Sequence, residues 1–212
     1  MNSPHNAGRI LHPALILLAA LAAGLGLWLG LRGPSPSVPT LQAGLLYPVP
    51  RTLGDFRLTR PDGTALTLAD WRGHWTLVFL GYTNCPDVCP TTLATLREVW
   101  TKLGDGPLRQ HVRVDFISVD PKRDTPDQLT RYAAFFSPDF IAATGSDEEL
   151  IRLSRSLGLL FVRQDEGKGS YAVDHSASIV IIDPDGRLAG LFRPPLDAGK
   201  IAADLATLAG TR

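Results

Sequence analysis

The stretch Thr76-Leu-Val-Phe-Leu-Gly-Tyr82 limits most severely what this chain can fold into. It is nearly continuously apolar, without the alternation of a strand that has one wet face. Such a run predicts a central strand covered on both sides, the mark of an α/β sheet. The flanking patterns agree. Leu93, Leu96, Trp100 and Leu103 recur at helical spacing, and Gly104 stops that helix. Val112–Val119 reads as the next strand. Thr125-Pro126-Asp127-Gln128 is a capping box with Pro at the first helical position, opening a helix with Leu129, Tyr132, Ala133 and Phe136 on one face. Ser146-Asp147-Glu148-Glu149 is a second box, and its helix ends at Gly158. Leu159–Val162 and Ser178–Ile182 read as strands, and Asp183-Pro184-Asp185-Gly186 turns the second into Arg187–Phe192. Phe56–Leu58 and Ala65–Leu68 flank a Pro61-Asp62-Gly63 turn, and Ile201, Ala202, Leu205 and Leu208 mark a last helix. The pattern predicts one α/β domain over residues 45–212, a mixed sheet with helices on both faces.

A different pattern precedes that domain. Residues 14–31 read ALILLAALAAGLGLWLGL, eighteen positions without a charge. As a helix they span roughly 27 Å, about the thickness of a bilayer's hydrocarbon core. Trp28 suits an interface and Arg32 closes the run. The run is longer than the apolar region of a cleaved signal, and no small-residue cleavage pattern follows. It therefore reads as a transmembrane anchor after a short segment, residues 1–13. The Pro/Ser-rich residues 32–44 read as a tether. The short N-terminus and long following domain suggest that the domain lies on the outer side.

Lys plus Arg and Asp plus Glu each number 21. Every acid follows Arg32 while Arg9 and Arg32 do not, so the part after Arg32 carries a net charge of −2. That offers no field for a polyanion and argues against nucleic acid as a partner. A hydrophobic fraction of 44% excludes global disorder. The sulfur inventory is narrower still: two cysteines, and one methionine at position 1. Soft-metal or thiol chemistry must run through Cys85 and Cys89.

Both lie in Gly81-Tyr-Thr-Asn-Cys-Pro-Asp-Val-Cys-Pro90, where the strongest strand gives way to a helix. The carboxyl end of a parallel sheet is where α/β proteins place ligands. Pro90 suits the first helical turn, which puts Cys89 near the N-cap, and the helix dipole there favours a thiolate. The two α-carbons can lie roughly 5–6 Å apart, close enough for a disulfide and equally for clamping one metal ion. A pair of buried small hydrophobes is the plainer alternative. Structural zinc would want a second ligand pair, and none exists. Two thiolates with an imidazole suit copper better. Of the five histidines, His5 and His12 precede the apolar run, and His74 and His111 precede strands, at the far end from the cysteines. His175, in Tyr171-Ala-Val-Asp-His-Ser-Ala-Ser178, is either a third ligand or an ordinary loop histidine.

Three stretches, Tyr82–Pro90, Ile117-Ser-Val-Asp-Pro-Lys-Arg-Asp-Thr-Pro126 and Val173-Asp-His-Ser-Ala177, together resemble the signature motifs of the Sco/SenC proteins. The resemblance runs from about Phe56 onward. It implies a thioredoxin-like fold on a membrane tether, facing the periplasm or the intermembrane space. It implies copper held by Cys85, Cys89 and His175, and assembly of the CuA centre in cytochrome c oxidase subunit II. Asp120 and Asp124 match acidic positions near the site, as groups behind the ligands or a weak further ligand. Asp124 is explained nearly as well by helix capping. Asn84 departs from the family, which often has His there.

Two functions follow. One is a copper chaperone, a carrier rather than an enzyme, loaded by an upstream donor. The other is a thiol-disulfide oxidoreductase that keeps the CuA cysteines reduced through a redox-active Cys85–Cys89 pair. Thioredoxins space their cysteines C-x-x-C. No Pro lies between Pro138 and Pro184, so the loop around His175 lacks their cis-Pro. A peroxidase, on the related peroxiredoxin pattern, needs Pro and Thr where Val78 and Tyr82 stand.

Overall fold

The computed structural model describes residues 13–31, 39–167 and 170–210. Residues 1–12, with His5 and His12, and residues 32–38 of the expected tether lie outside the described residues. The chain divides into two units, Met1–Val38 and Pro39–Arg212. The first holds helix α1 (Pro13–Leu31) over the apolar run, with side chains described through Trp28. Among the described residues no helix is long and apolar enough to cross a membrane.

The second unit begins with β1 (Gly44–Thr52), then a hairpin of β2 (Arg57–Thr59) and β3 (Ala65–Thr67), and the single turn α2 (Leu68–Trp71). Next come β4 (Trp75–Gly81), α3 (Val88–Leu103), α4 (Pro107–Gln110), β5 (Val112–Ser118) and α5 (Pro126–Phe136). Then follow β6 (Ile141–Ala143), α6 (Asp147–Ser156), a second hairpin of β7 (Phe161–Gly167) and β8 (Ser170–His175), and finally β9 (Ile179–Ile182), β10 (Arg187–Phe192) and α7 (Ala198–Gly210).

Six strands form one mixed sheet in the order β1-β10-β9-β4-β5-β6. The β4–β5 and β5–β6 pairs are parallel and the others antiparallel. All seven residues of β4 are buried, as the apolar run requires of a strand with neighbours on both sides and cover on both faces. The parallel register pairs Gly81 with Ser118 at the carboxyl ends and Trp75 with Val112 at the other. His74 and His111 sit at that other end, away from the cysteines, where Trp75 N–H donates to the His111 carbonyl.

Helices cover both faces. On β5, Phe116 meets Tyr132 of α5 at 5.4 Å between ring centroids. Its neighbour Asp115 points the opposite way, and accepts 2.8 Å from Trp71 Nε1 of α2. Arg113 Nε also donates to Asp115, at 2.9 Å. Burial pushes the Asp115 carboxyl pKa up against the pull of that guanidinium. The expected apolar face of α3 is inside, with Leu93, Leu96, Trp100 and Leu103 all buried. The box at Thr125 closes in both directions with Gln128. At Ser146 only half forms: its hydroxyl accepts from Glu149 N–H, while the Glu149 carboxylate receives Arg57 N–H instead.

Strand β1 has no counterpart in the hydrophobic pattern. It is an edge strand without a buried residue, and Pro48 and Pro50 remove donors that a further strand would need. Tertiary contacts hold it. Gln42, Ala43 and Gly44 donate their N–H groups to the buried Asp204 carboxylate of α7 at 2.7, 2.8 and 2.9 Å. A Cβ on Gly190 of β10 would stand 2.2 Å from the Leu45 carbonyl oxygen, so only glycine lets the strands approach there.

Candidate metal centre

The site grows from the end of β4. Gly81 is its last residue, and a Cβ there would lie 2.8 Å from Cys89 Sγ and 2.8 Å from the Phe116 ring. The missing side chain is the space that Cys89 occupies. The loop after β4 is pinned by Asp124. Its carboxylate accepts from Thr83 N–H at 2.9 Å, Thr83 Oγ1 at 2.6 Å and Ser118 Oγ at 2.6 Å. That bond set ties the residues just before Cys85 to the end of β5.

Helix α3 starts at Val88 with Asp87 as N-cap, earlier than Pro90 alone suggests. Cys89 therefore lies inside the first turn. Its backbone N–H donates to Cys85 Sγ at 3.4 Å. Cys85 is half-buried and Cys89 fully buried, and both are free thiols. The expectation of a dipole-favoured thiolate fails at Cys89. Burial pushes its thiol far above the ordinary range, and the neighbouring Cys85 sulfur and Asp124 carboxylate push the same way. Desolvation outweighs the backbone hydrogen bond at Tyr82, which pulls the other way.

His175 is not in a loop but ends β8, paired with Phe161 of β7. Its Nε2 lies 3.1 Å from Cys89 Sγ, across 86 positions of sequence. The ring packs edge-on against Phe79 at 5.7 Å and Tyr82 at 6.0 Å. Nδ1 lies 3.2 Å from the Ser176 carbonyl oxygen. With the proton on Nδ1, Nε2 turns its lone pair to the sulfurs. Burial lowers the His175 pKa, which keeps the ring neutral, the form that binds metals.

Cys85, Cys89 and His175 offer donor atoms that all lie within 4.8 Å of one another. No other such group of three forms among the described residues. Asp120 and Asp124 are outside it, and both are buried. Asp124 serves the cysteine loop, as above. Asp120 accepts from Arg123 Nε and from the Tyr171 hydroxyl, each at 2.5 Å. Neither Arg123 nor Tyr171 stood out in the sequence, because a hydrogen-bonded or stacked partner from a distant segment has no spacing rule of its own.

The sequence profile of SCO1/SenC matches residues 47–210. The chain belongs to the SCO1/SenC family. This family member is 37% identical over 180 residues to the mitochondrial SCO2 homolog of Bos taurus, covering 83% of this chain and 67% of that one. It is similar in structure to Bradyrhizobium japonicum ScoI with copper bound, at TM-score 0.68 and 36% identity, over 74% of this chain and 98% of that one. The apo Sco1 protein of Thermus thermophilus matches at TM-score 0.72 and 36% identity, over 81% of this chain and 99% of that one. The expected thioredoxin-like mixed sheet is thus the fold of this SCO1/SenC member.

Proposed function

We propose that this chain is a copper chaperone that holds copper through Cys85, Cys89 and His175 and passes it to the CuA centre of cytochrome c oxidase subunit II. The observation that carries the reading is the approach of His175 Nε2 to 3.1 Å from Cys89 Sγ. Two sulfurs and an imidazole nitrogen are soft donors that suit Cu(I). Three protein ligands leave the cargo open to capture by an acceptor's own soft ligands, so transfer proceeds by ligand exchange. An upstream donor supplies the ion. Residues 14–31 anchor the chain in the inner membrane, with the domain in the periplasm, or in the intermembrane space of a mitochondrion. The uncharged sequence of residues 14–31 supports that anchor.

The second reading is a thiol-disulfide oxidoreductase that keeps the CuA cysteines reduced. The free and adjacent Cys85 and Cys89 favour it. The two readings part at His175, because a dithiol reductant has no need of the imidazole. Cu(I) affinity and oxidase assembly are measured side by side in His175→Ala and Cys85→Ser. Delivery expects His175→Ala to leave the domain folded and the disulfide reducible, to weaken copper binding at least about tenfold, and to impair assembly. Wild-type affinity and assembly in His175→Ala would put thiol exchange ahead.

A further inference from the structure

His175 reaches the cysteines from a two-stranded hairpin that is not part of the six-stranded sheet. Backbone pairing therefore does not fix its position against β4 and α3. Besides the three-residue link to β9, side chains do so: Arg163 of β7 donates to the Val119 carbonyl and to Asp147, and a second cluster, around Arg123, stands between the hairpin and the site. The Arg123 guanidinium lies 3.8 Å over the Tyr171 ring of β8 and 5.5 Å from the Tyr82 ring of the cysteine loop. Its Nε donates to buried Asp120, and its Nη1 donates to the Tyr171 carbonyl at 2.9 Å. The Tyr171 hydroxyl returns to Asp120, which closes the ring of contacts. Tyr82 is itself an edge contact of His175. Stacking and charge-assisted hydrogen bonds act here together at a part-buried place.

We propose that Arg123, with Asp120 and Tyr171, is a latch that locks the β7–β8 hairpin in the position where His175 can share a metal with Cys85 and Cys89. Arg123 is a positioning residue and touches no ligand atom. The latch rests on the copper reading above for its effect on metal, but not for its effect on the hairpin. Loss of the Arg123 guanidinium loosens the hairpin, which Arg163 still ties to Val119 and Asp147, while the six-stranded sheet keeps all its backbone pairs. His175 then stands in the binding position for only part of the time, and apparent affinity falls by that fraction.

The test uses Arg123→Met, which keeps the apolar stem, and Tyr171→Phe, which keeps the ring and loses only the hydroxyl. Amide hydrogen exchange in metal-free protein reads the hairpin without copper. Faster exchange in β7 and β8 of Arg123→Met, with β9 and β10 unchanged, is the expected result. Unchanged exchange in the hairpin would overturn the latch whatever copper does. Cu(I) competition titrations then compare Arg123→Met, His175→Ala and the double variant. The expected loss is about tenfold or more in Arg123→Met and a few-fold in Tyr171→Phe, the scale of removing a partner that orients a metal ligand. Combined with His175→Ala, Arg123→Met should add almost nothing, because both act through one imidazole. Additive losses, or wild-type affinity in Arg123→Met beside weakened His175→Ala, would overturn the positioning role. Wild-type affinity in His175→Ala would instead sink the copper ligand set, while the exchange data still decide the latch. Should Arg123→Met fail to fold, Tyr171→Phe carries the same comparisons.

Discussion

The two halves of the candidate site are held by different forces. Cys85 and Cys89 follow β4, a strand buried along its whole length and hydrogen-bonded on both sides within the large sheet. His175 ends β8, in a two-stranded hairpin whose Val162 is 58% exposed, with Leu160 just before it 67% exposed. A two-stranded ribbon is marginal by itself. It stays in place here through Arg163, whose Nη2 donates to the Val119 carbonyl and to Asp147, each at 2.7 Å, and through the Arg123 cluster. The difference teaches that the thiol half shares the fate of the whole fold, whereas the imidazole half can loosen while the fold survives. Metal affinity and global stability should therefore respond to different substitutions.

The largest effect belongs to the sheet. Phe79 is fully buried in β4 and touches His175. Phe79→Ala should lower unfolding stability by about 3–5 kcal/mol in a urea titration. A loss under about 1 kcal/mol, with copper affinity still impaired, would mean that β4 supports the site more than the core.

Asp124 is next, since it joins the cysteine loop to β5. Asp124→Ala strands two hydroxyls and a backbone N–H, and should cost about 1–3 kcal/mol of stability. It should also weaken Cu(I) binding through the Cys85 loop. If stability falls and affinity does not, the loop needs no pinning.

The pH dependence sharpens the comparison further. On the proposed copper reading, metal binding requires the Cys89 thiolate, and burial holds the free protein's Cys89 as a thiol. Raising pH below that pKa therefore favours binding, by about tenfold or about 1.4 kcal/mol per unit for this one proton. A flat affinity between about pH 6 and about pH 8 would mean that Cys89 gives up no proton to the metal. His175 adds a stability effect of its own. Its folded pKa lies below the ordinary 6.5, so the unfolded chain takes up the proton first as pH falls. Metal-free protein should lose stability as pH drops through that value, and His175→Ala should remove this part of the slope.

The smallest effect should come from the outer face of the hairpin. Val162→Thr changes an exposed residue away from the latch and should shift stability by no more than about 0.5 kcal/mol. A clear loss of copper affinity in Val162→Thr would show that the hairpin's surface, and not only its buried supports, holds His175.

Local pattern made the thiol half legible. A continuous apolar run can satisfy its backbone and bury its side chains only as a central strand, and Pro90 with the following periodicity can only lead into a helix. The cysteines between them were bound to meet at the sheet's carboxyl end. The capping box at Thr125 and the glycine stop at Gly104 are equally local, and both formed. Motif resemblance, rather than periodicity, singled out His175, and Asp120 and Asp124 with it.

What only the tertiary structure decided is everything that joins distant segments through side chains. Strand β1 is written in no hydrophobic period, because Asp204 and the close approach at Gly190 hold it. The Cys89 thiol moved opposite to the dipole expectation, because burial depends on Phe116 and its neighbours and not on position in a helix. The 3.1 Å meeting of His175 with Cys89 depends on a hairpin packed against two other elements. Sequence periodicity records which face of one segment avoids water. It carries no record of which arginine will stack on which tyrosine once the segments come together.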